Sequence, residues 1–220
     1  MSKECKILHE VVCSMKRYYF PFDESSIPED GIYVLFEKGE IGHGADRIVR
    51  IGTHTGEGQL PSRLWQHFLN EKKDRSIFRK NIGRAILNKD RDPFLEQWEI
   101  DLTTRKNKAK YSNKSDFERE KEIESKVSQY IQKNFSLSVF HVKDKPKRMT
   151  LESKLISTVS LCNDCKPSSG WLGNYSPKTK ICESGLWLVN ELYKTPLTAE
   201  EIRQIEKQSK GQQKNRGDRG

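Results

Sequence analysis

The stretches GIYVLF (residues 31–36) and IVRIG (residues 48–52) decide how this chain folds. In each stretch, successive residues alternate between two faces, as is typical of half-buried strands. The segment between them, EKGEIGHGAD, is rich in glycine, which favours a chain reversal. We therefore predict an antiparallel hairpin with a rather long, flexible loop, in which Gly31 and Gly52 lie near one end.

Alternation also predicts which side chains of the hairpin share a face. In the first strand, Tyr33 is expected on the face opposite Ile32 and Val34. In the second strand, strict alternation places Arg50 on the face opposite Val49. Tyr33 and Arg50 are therefore polar residues on neighbouring strands.

Helical periodicity follows the hairpin. Apolar residues recur at helical spacing in residues 60–70 and again in 76–89. Arg63 and His67 are four residues apart and so share one face of the first of these helices. Further along, Ser115 and Glu118 form a capping box, which predicts the start of another helix.

A third strand is predicted at LSVFHV (137–142), and the helix RMTLESKLISTV (148–159) follows it. Residues 161–199 are less regular, yet their tryptophans indicate that they pack on the core. From about Glu200 the composition predicts a disordered basic tail. The pattern as a whole predicts an α/β fold of the α+β type, with a small three-stranded antiparallel sheet flanked by helices.

Charge indicates the class of partner. The chain has 40 Lys and Arg against 31 Asp and Glu, a net charge of +9. Such an excess favours nucleic acid, because each phosphate contact releases counterions. The alternative is a basic surface that only confers solubility. Since no stretch is apolar enough for a membrane span or a signal peptide, we expect a cytoplasmic protein without a membrane partner.

Five polar residues of these elements suit phosphodiester hydrolysis: Tyr33, Arg50, Arg63, His67 and Glu152. A carboxylate can hold one hydrated Mg²⁺, and an arginine can bind phosphate oxygens with two N–H groups. A tyrosine or histidine can take a proton from the attacking water. Each residue alone also has a structural explanation, such as strand packing or a solvated helix face, so only the set indicates a site.

The hairpin GIYVLF…VRIG, the helix containing SRLWQH and the later RMTLESKLI together resemble the GIY-YIG nuclease superfamily. The resemblance covers about Gly31 to Val159, and SSGWLG…ICESGLW also resembles the C-terminal part of prokaryotic members of restriction or defence type. It implies the following organisation: an N-terminal extension (1–30), a nuclease domain (31–160) with a helical, basic insertion at about 75–135, a C-terminal extension (161–199) and the basic tail (200–220).

The resemblance also implies roles for individual residues. Tyr33 would orient or deprotonate the attacking water, and Arg63 would contact the scissile phosphate. His67 would serve proton transfer, and Glu152 would bind the Mg²⁺, for which Mn²⁺ is a substitute. The superfamily often has an asparagine after the glutamate, for which Asn163 and Asn174 are both candidates.

The chain departs from the pattern of the superfamily at Arg50, which replaces the tyrosine of the second tripeptide. An arginine there can bind phosphate but cannot act as a base at neutral pH. His54, just after the tripeptide, is a further candidate for phosphate binding. Arg50 therefore leaves open whether the chain has full activity.

The sequence thus predicts a Mg²⁺-dependent endonuclease that hydrolyses DNA, chiefly double-stranded, with restriction, repair and defence all compatible. A homodimer is expected only because one active site cuts one strand. The main alternative is a catalytically impaired nucleic-acid-binding protein of the same fold, and another is an interaction protein whose charge confers solubility.

The cysteines raise a separate hypothesis. Cys162 and Cys165 have the C-x-x-C spacing of zinc ligands, and Cys182 follows them. A structural zinc site needs four ligands, so the fourth would come from a distant histidine. Ordinary reduced, buried cysteines are the alternative.

Overall fold

One open antiparallel sheet, in the order β1-β4-β2-β3, organises the fold in a computed structural model that describes residues 2–111 and 115–207. The strands are β1 (Tyr18–Tyr19), β2 (Gly31–Gly42), β3 (Ala45–Gly52) and β4 (Phe135–His141). The predicted fold class is confirmed. The sheet has four strands rather than three because Tyr18 and Tyr19 pair with β4.

Helices cover both faces of the sheet. They are α1 (Ser2–Ser14), α2 (Leu60–Phe68), α3 (Ile77–Lys89), α4 (Leu95–Trp98), α5 (Arg105–Tyr111), α6 (Phe117–Asn134), α7 (Lys145–Ser160), α8 (Thr179–Ser184) and a last helix, α9, at 199–207. The cap of α6 is Asp116, whose carboxylate accepts a hydrogen bond from the Arg119 N–H, and not Ser115 as predicted. None of the described helices has the length and apolar character needed to cross a membrane.

The hairpin differs from the prediction at its tip. Strands β2 and β3 extend almost to the reversal, which consists of His43 and Gly44 with φ of 54° and 79°. Two successive positive φ values are typical of the tight turn of type I′. The predicted long loop is therefore wrong, because most of its residues are strand. A buried ion pair supports the extension, with 2.6 Å between Arg47 Nη2 and Glu40 Oε2.

A bulge in β3 changes the face on which Arg50 lies. Leu35 pairs with Arg50, whereas the next residue of β2, Phe36, pairs with Ile48, so that Val49 is the extra residue. Val49 and Arg50 therefore both lie on the face of Tyr33, and the prediction of strict alternation is wrong for β3. The bulge brings the Arg50 guanidinium to the Tyr33 hydroxyl.

Two apolar clusters lie on opposite faces of the sheet. The tyrosine-side cluster joins Tyr33 and Val49 to α2, α3, α6 and two tryptophans, Trp171 and Trp187. The opposite cluster packs the other face of the hairpin against α1 and α7.

The C-terminal residues contribute to both clusters. The backbone N–H of Trp187 donates to the Val49 carbonyl at 2.7 Å, so residues 161–199 do pack on the core, as predicted. Ile202 of α9 is buried in the opposite cluster, which makes residues 199–207 part of the fold rather than of a disordered tail. The rest of the predicted tail lies outside the described residues.

Candidate active site

Tyr33 is at the centre of a chain of hydrogen bonds on the tyrosine-side face. Its hydroxyl lies 2.7 Å from His67 Nε2, and His67 Nδ1 lies 2.7 Å from Ser76 Oγ. Arg50 Nε donates to the Tyr33 oxygen at 3.3 Å. A neutral His67 with its proton on Nδ1 satisfies every partner, since Tyr33 then donates to Nε2 and Nδ1 donates to Ser76.

Burial keeps His67 neutral. The side chain is fully enclosed, and this burial, followed by the positive charges of Arg63, Arg50 and Arg79, holds the pKa of His67 well below its ordinary value. A neutral imidazole keeps one nitrogen as an acceptor at neutral pH. His67 can therefore accept a hydrogen bond from the Tyr33 hydroxyl.

Gly52 explains the glycine of the second tripeptide. It pairs with Tyr33 across the hairpin, and a Cβ at this position would lie 2.3 Å from the Tyr33 hydroxyl oxygen. Any larger residue would displace the hydroxyl from His67. Gly31, at the same end of the hairpin, allows an equally close approach to β4, because a Cβ there would lie 2.3 Å from the Phe140 carbonyl oxygen.

Arg50 links the tyrosine to the C-terminal segment. One of its terminal nitrogens donates to the Trp187 carbonyl, and its guanidinium lies 5.2 Å from the centre of the Phe78 ring. Its side chain is buried. Tyr33 is only 1% exposed, and Arg50 bonds to its hydroxyl on this face.

Arg63 projects from α2 with part of its guanidinium uncommitted. Its Nη1 donates to Gln66 Oε1 at 3.0 Å and to the Arg75 carbonyl at 3.2 Å. Within the described residues, Nε and Nη2 make no hydrogen bond. The side chain is thus anchored at one nitrogen and has the N–H groups of Nε and Nη2 left for an anion, which is the arrangement that binds phosphate oxygens well.

Glu152 is brought to the same site by α7. The backbone N–H of Thr53, which directly follows Gly52, lies near enough to lower the pKa of Glu152. Burial has the largest effect and raises the pKa of Glu152. The charge of Arg50 and the backbone N–H of Thr53 lower this pKa, the charge of Glu191 raises it, and the charge of Arg63 lowers it. These influences show that Glu152, Arg50 and Arg63 share one electrostatic environment.

An open cavity of about 730 Å³ borders Glu152. It is also lined by Asn190, Glu191 and Lys194, from the segment after Trp187. A half-buried carboxylate with a second carboxylate and an amide oxygen nearby is a set of hard oxygen donors, which suits a hydrated Mg²⁺. The donor set therefore fits the metal that the sequence predicts.

The structure separates the remaining candidates from this group. His54 Nε2 accepts from the Gly31 N–H at 3.2 Å, and Nδ1 lies 2.6 Å from the Gly56 carbonyl, so both ring nitrogens are used within the protein. Asn174 Nδ2 donates to the Ser168 carbonyl at 2.9 Å and so stabilises a turn at the surface. Asn163 follows the C-terminal end of α7, more than two helical turns beyond Glu152.

Three residues of the site were not found from the sequence. Ser76 was missed because it serves as the cap of α3, where its hydroxyl also accepts from the Arg79 N–H at 3.2 Å. Trp187 and Asn190 come from an irregular segment without periodicity. Asn190 lines the cavity that borders Glu152, whereas Asn163 and Asn174 do not, and only the fold reveals this.

Comparison with known proteins adds one finding. A family model described as the GIY-YIG domain matches residues 7–213, nearly the whole chain. The match includes the C-terminal part of α1 and the C-terminal segment as well as the hairpin. Searches of curated proteins and of solved structures found no match.

Proposed function

The chain belongs to the GIY-YIG nuclease superfamily, and on that premise we propose that it is a Mg²⁺-dependent endonuclease that hydrolyses DNA. One observation carries the proposal. Tyr33 and His67 are hydrogen-bonded at 2.7 Å, and Arg50, Arg63 and Glu152 lie in the same electrostatic environment. These residues come from β2, α2, β3 and α7, so the fold alone assembles them.

The arrangement supports a division of roles. Tyr33 takes a proton from the attacking water and passes its own to His67 Nε2, while Ser76 holds the ring through Nδ1. Arg63 binds the non-bridging oxygens of the scissile phosphate with the N–H groups of its two uncommitted nitrogens, Nε and Nη2.

Glu152, with Glu191 and Asn190 beside it, is the group that would hold Mg²⁺. A bound Mg²⁺ supplies a Lewis acid for the phosphate, and Mn²⁺ is expected to substitute for it. The Thr53 N–H favours the charged form of the Glu152 carboxylate, which is the form that binds a metal. Asn190 takes the place that the sequence left to Asn163 or Asn174.

Nucleic acid as the partner is supported by the net charge of +9 together with the superfamily. Contacts to phosphates of the backbone are independent of sequence and strongly dependent on salt. We expect double-stranded DNA to be bound in this way. Two protomers, or two successive events, would be needed to cut both strands.

The test is cleavage of supercoiled plasmid with Mg²⁺ by the parent protein and by Glu152→Gln, Arg63→Ala and Tyr33→Phe. Each variant should cleave at least about 100-fold more slowly, because removing a proton-transfer or charge-stabilising group costs this much or more. Glu201→Gln is the matched control. Glu201 lies on α9 and pairs at 2.5 Å with Lys154, which is on α7, the helix that carries Glu152. It should cleave like the parent. Equal cleavage by Glu152→Gln and Glu201→Gln would refute the assigned site.

A second candidate function is a nucleic-acid-binding protein that has lost the chemistry. It is favoured by the bond from Arg50 to the Tyr33 oxygen and by the 1% exposure of Tyr33, which both restrict access of water to the hydroxyl. Such a protein would shift DNA in a gel at low salt and leave it intact with Mg²⁺ or Mn²⁺. If Arg50→Tyr then gained cleavage, the arginine itself would be the cause of the loss.

A further inference from the structure

Four metal-ligating side chains meet on the face of the sheet opposite Tyr33. They are Cys5, His43, Cys162 and Cys165, and one ligand atom from each lies within 4.8 Å of all the others. Cys5 comes from α1, His43 is the first residue of the β2–β3 turn, and Cys162 and Cys165 follow α7. Three segments that are distant in sequence are thus joined at one point.

The distances suit a tetrahedral ion. Cys5 Sγ and Cys165 Sγ are 3.6 Å apart, and Cys162 Sγ lies 3.3 Å from His43 Nε2. In a tetrahedral zinc site with Zn–S of about 2.3 Å and Zn–N of about 2.0 Å, the sulfur–sulfur edge is about 3.8 Å and the sulfur–nitrogen edge about 3.5 Å. Both observed separations are within a few tenths of an ångström of these edges.

The neighbouring groups support the same conclusion. His9 is not a ligand, because its Nε2 accepts from the Ile48 N–H at 3.2 Å and its Nδ1 donates to the Cys5 carbonyl at 2.9 Å. This second bond fixes the backbone that carries Cys5, as outer residues do around zinc sites. Gly42 leaves room for the cluster, since a Cβ there would lie 3.0 Å from Cys165 Cβ.

Cys182 is excluded from the group, although the sequence had suggested it. Its sulfur lies 3.3 Å from the carbonyls of Gly173 and Ser176, in a different part of the fold. The histidine at the hairpin tip takes its place as the fourth ligand. Cys162 and Cys165, the C-x-x-C pair that the sequence predicted as zinc ligands, do belong to the group.

We propose that Cys5, His43, Cys162 and Cys165 bind one structural Zn²⁺. Four protein ligands complete the coordination shell, so no position is open for catalysis. The three cysteines are at most 5% exposed, and Cys162 and Cys165 follow the C-terminal end of α7, more than two helical turns beyond Glu152, so this ion is separate from the Mg²⁺ that Glu152 would hold. Its role is to clamp α1 and the hairpin tip to the end of α7.

The test is the zinc content of the purified full chain, prepared with a histidine-free affinity tag from zinc-supplemented cells. We expect about one Zn per chain in the parent and at least a tenfold lower content in Cys165→Ser and Cys5→Ser. The matched controls are Cys13→Ser, on the same helix as Cys5, and Cys182→Ser, which should both keep the metal. His43→Cys should also keep it, because a four-cysteine site binds zinc well.

A spectroscopic measurement on the parent protein protects the test against variants that fail to fold. Co²⁺ substituted for the metal should give thiolate charge-transfer bands and the intense visible bands of tetrahedral coordination. A parent that contains no zinc and gives no such bands with Co²⁺ would overturn the proposal and leave a cluster of reduced thiols. Zinc content unchanged in Cys165→Ser would place the metal elsewhere and would also overturn it. Neither readout depends on DNA cleavage.

Discussion

Replacing Gly52 with alanine tests the central geometry of the site. The added Cβ would lie 2.3 Å from the Tyr33 hydroxyl oxygen and 2.5 Å from its Cζ, whereas ordinary contacts begin at 3.4 Å. The phenol must therefore move by about 1 Å, a shift that the close packing of the interior resists. Its hydroxyl now lies 2.7 Å from His67 Nε2, so this movement breaks or distorts the bond.

Two effects of known size follow. Overpacking of a buried position costs about 1–3 kcal/mol of the free energy of unfolding. A displacement of about 1 Å in a reacting group can lower the rate about 100-fold. We therefore expect Gly52→Ala to be destabilised in urea and to cleave plasmid DNA about 100-fold more slowly.

Gly170→Ala is the matched control, because a Cβ there meets no atom within 4 Å. It should change the free energy of unfolding by less than about 0.5 kcal/mol, as surface substitutions usually do. The double variant Tyr33→Ala/Gly52→Ala should show a strong, non-additive rescue of stability, since the clashing ring is gone. A Gly52→Ala protein as stable and active as Gly170→Ala would refute the reasoning.

Other predictions concern buried charge and pH. Arg79→Met leaves Glu124 without its partner at 2.7 Å and should lower the free energy of unfolding by about 3–5 kcal/mol in urea, while Arg119→Met, at the surface, should cost under about 1 kcal/mol. Glu37→Leu should be destabilised by about 1–3 kcal/mol or more, because it removes the oxygen that accepts N–H bonds from both Trp171 at 2.7 Å and Trp187 at 2.8 Å; a stability equal to the parent's would contradict this. The pKa of His67 in the folded state lies below its unfolded value of about 6.5. The stability that a neutral His67 contributes is therefore complete above about pH 6.5 and is lost as the pH falls below it. The loss in the free energy of unfolding is up to about 1.4 kcal/mol per pH unit. In His67→Gln, the urea midpoint of unfolding should fall less between pH 7 and pH 5 than it does in the parent. The same pH dependence as in the parent, or an equal reduction in His141→Gln, would count against the burial of His67 as the cause.

Local sequence patterns predicted the elements that carry most of the site. The two tripeptides, the i,i+4 spacing of Arg63 and His67, and the helix of Glu152 depend on short-range periodicity, which a sequence displays directly. The same patterns indicated the residue types needed for phosphodiester hydrolysis. The superfamily that they resemble is the one that the family comparison shows.

The remaining features depend on contacts between distant segments. The bulge at Val49 follows from the pairing of β3 with β2, and strict alternation cannot anticipate one extra residue. Asn190 and Trp187 reach the site from an irregular segment whose path is fixed by tertiary packing. The four thiol and imidazole ligands come from three segments, of which only the Cys162-x-x-Cys165 pair is visible as a local motif.

The bond between the Trp187 N–H and the Val49 carbonyl has a consequence for the growing chain. Strand β3 is the outer strand of the sheet, and an uncovered outer strand is a template for pairing with other chains. Trp187 lies 137 residues after Arg50, so the hairpin is synthesised long before its cover. Until that cover arrives, the nascent protein carries an exposed edge and an incomplete site, and both are closed by the same late segment.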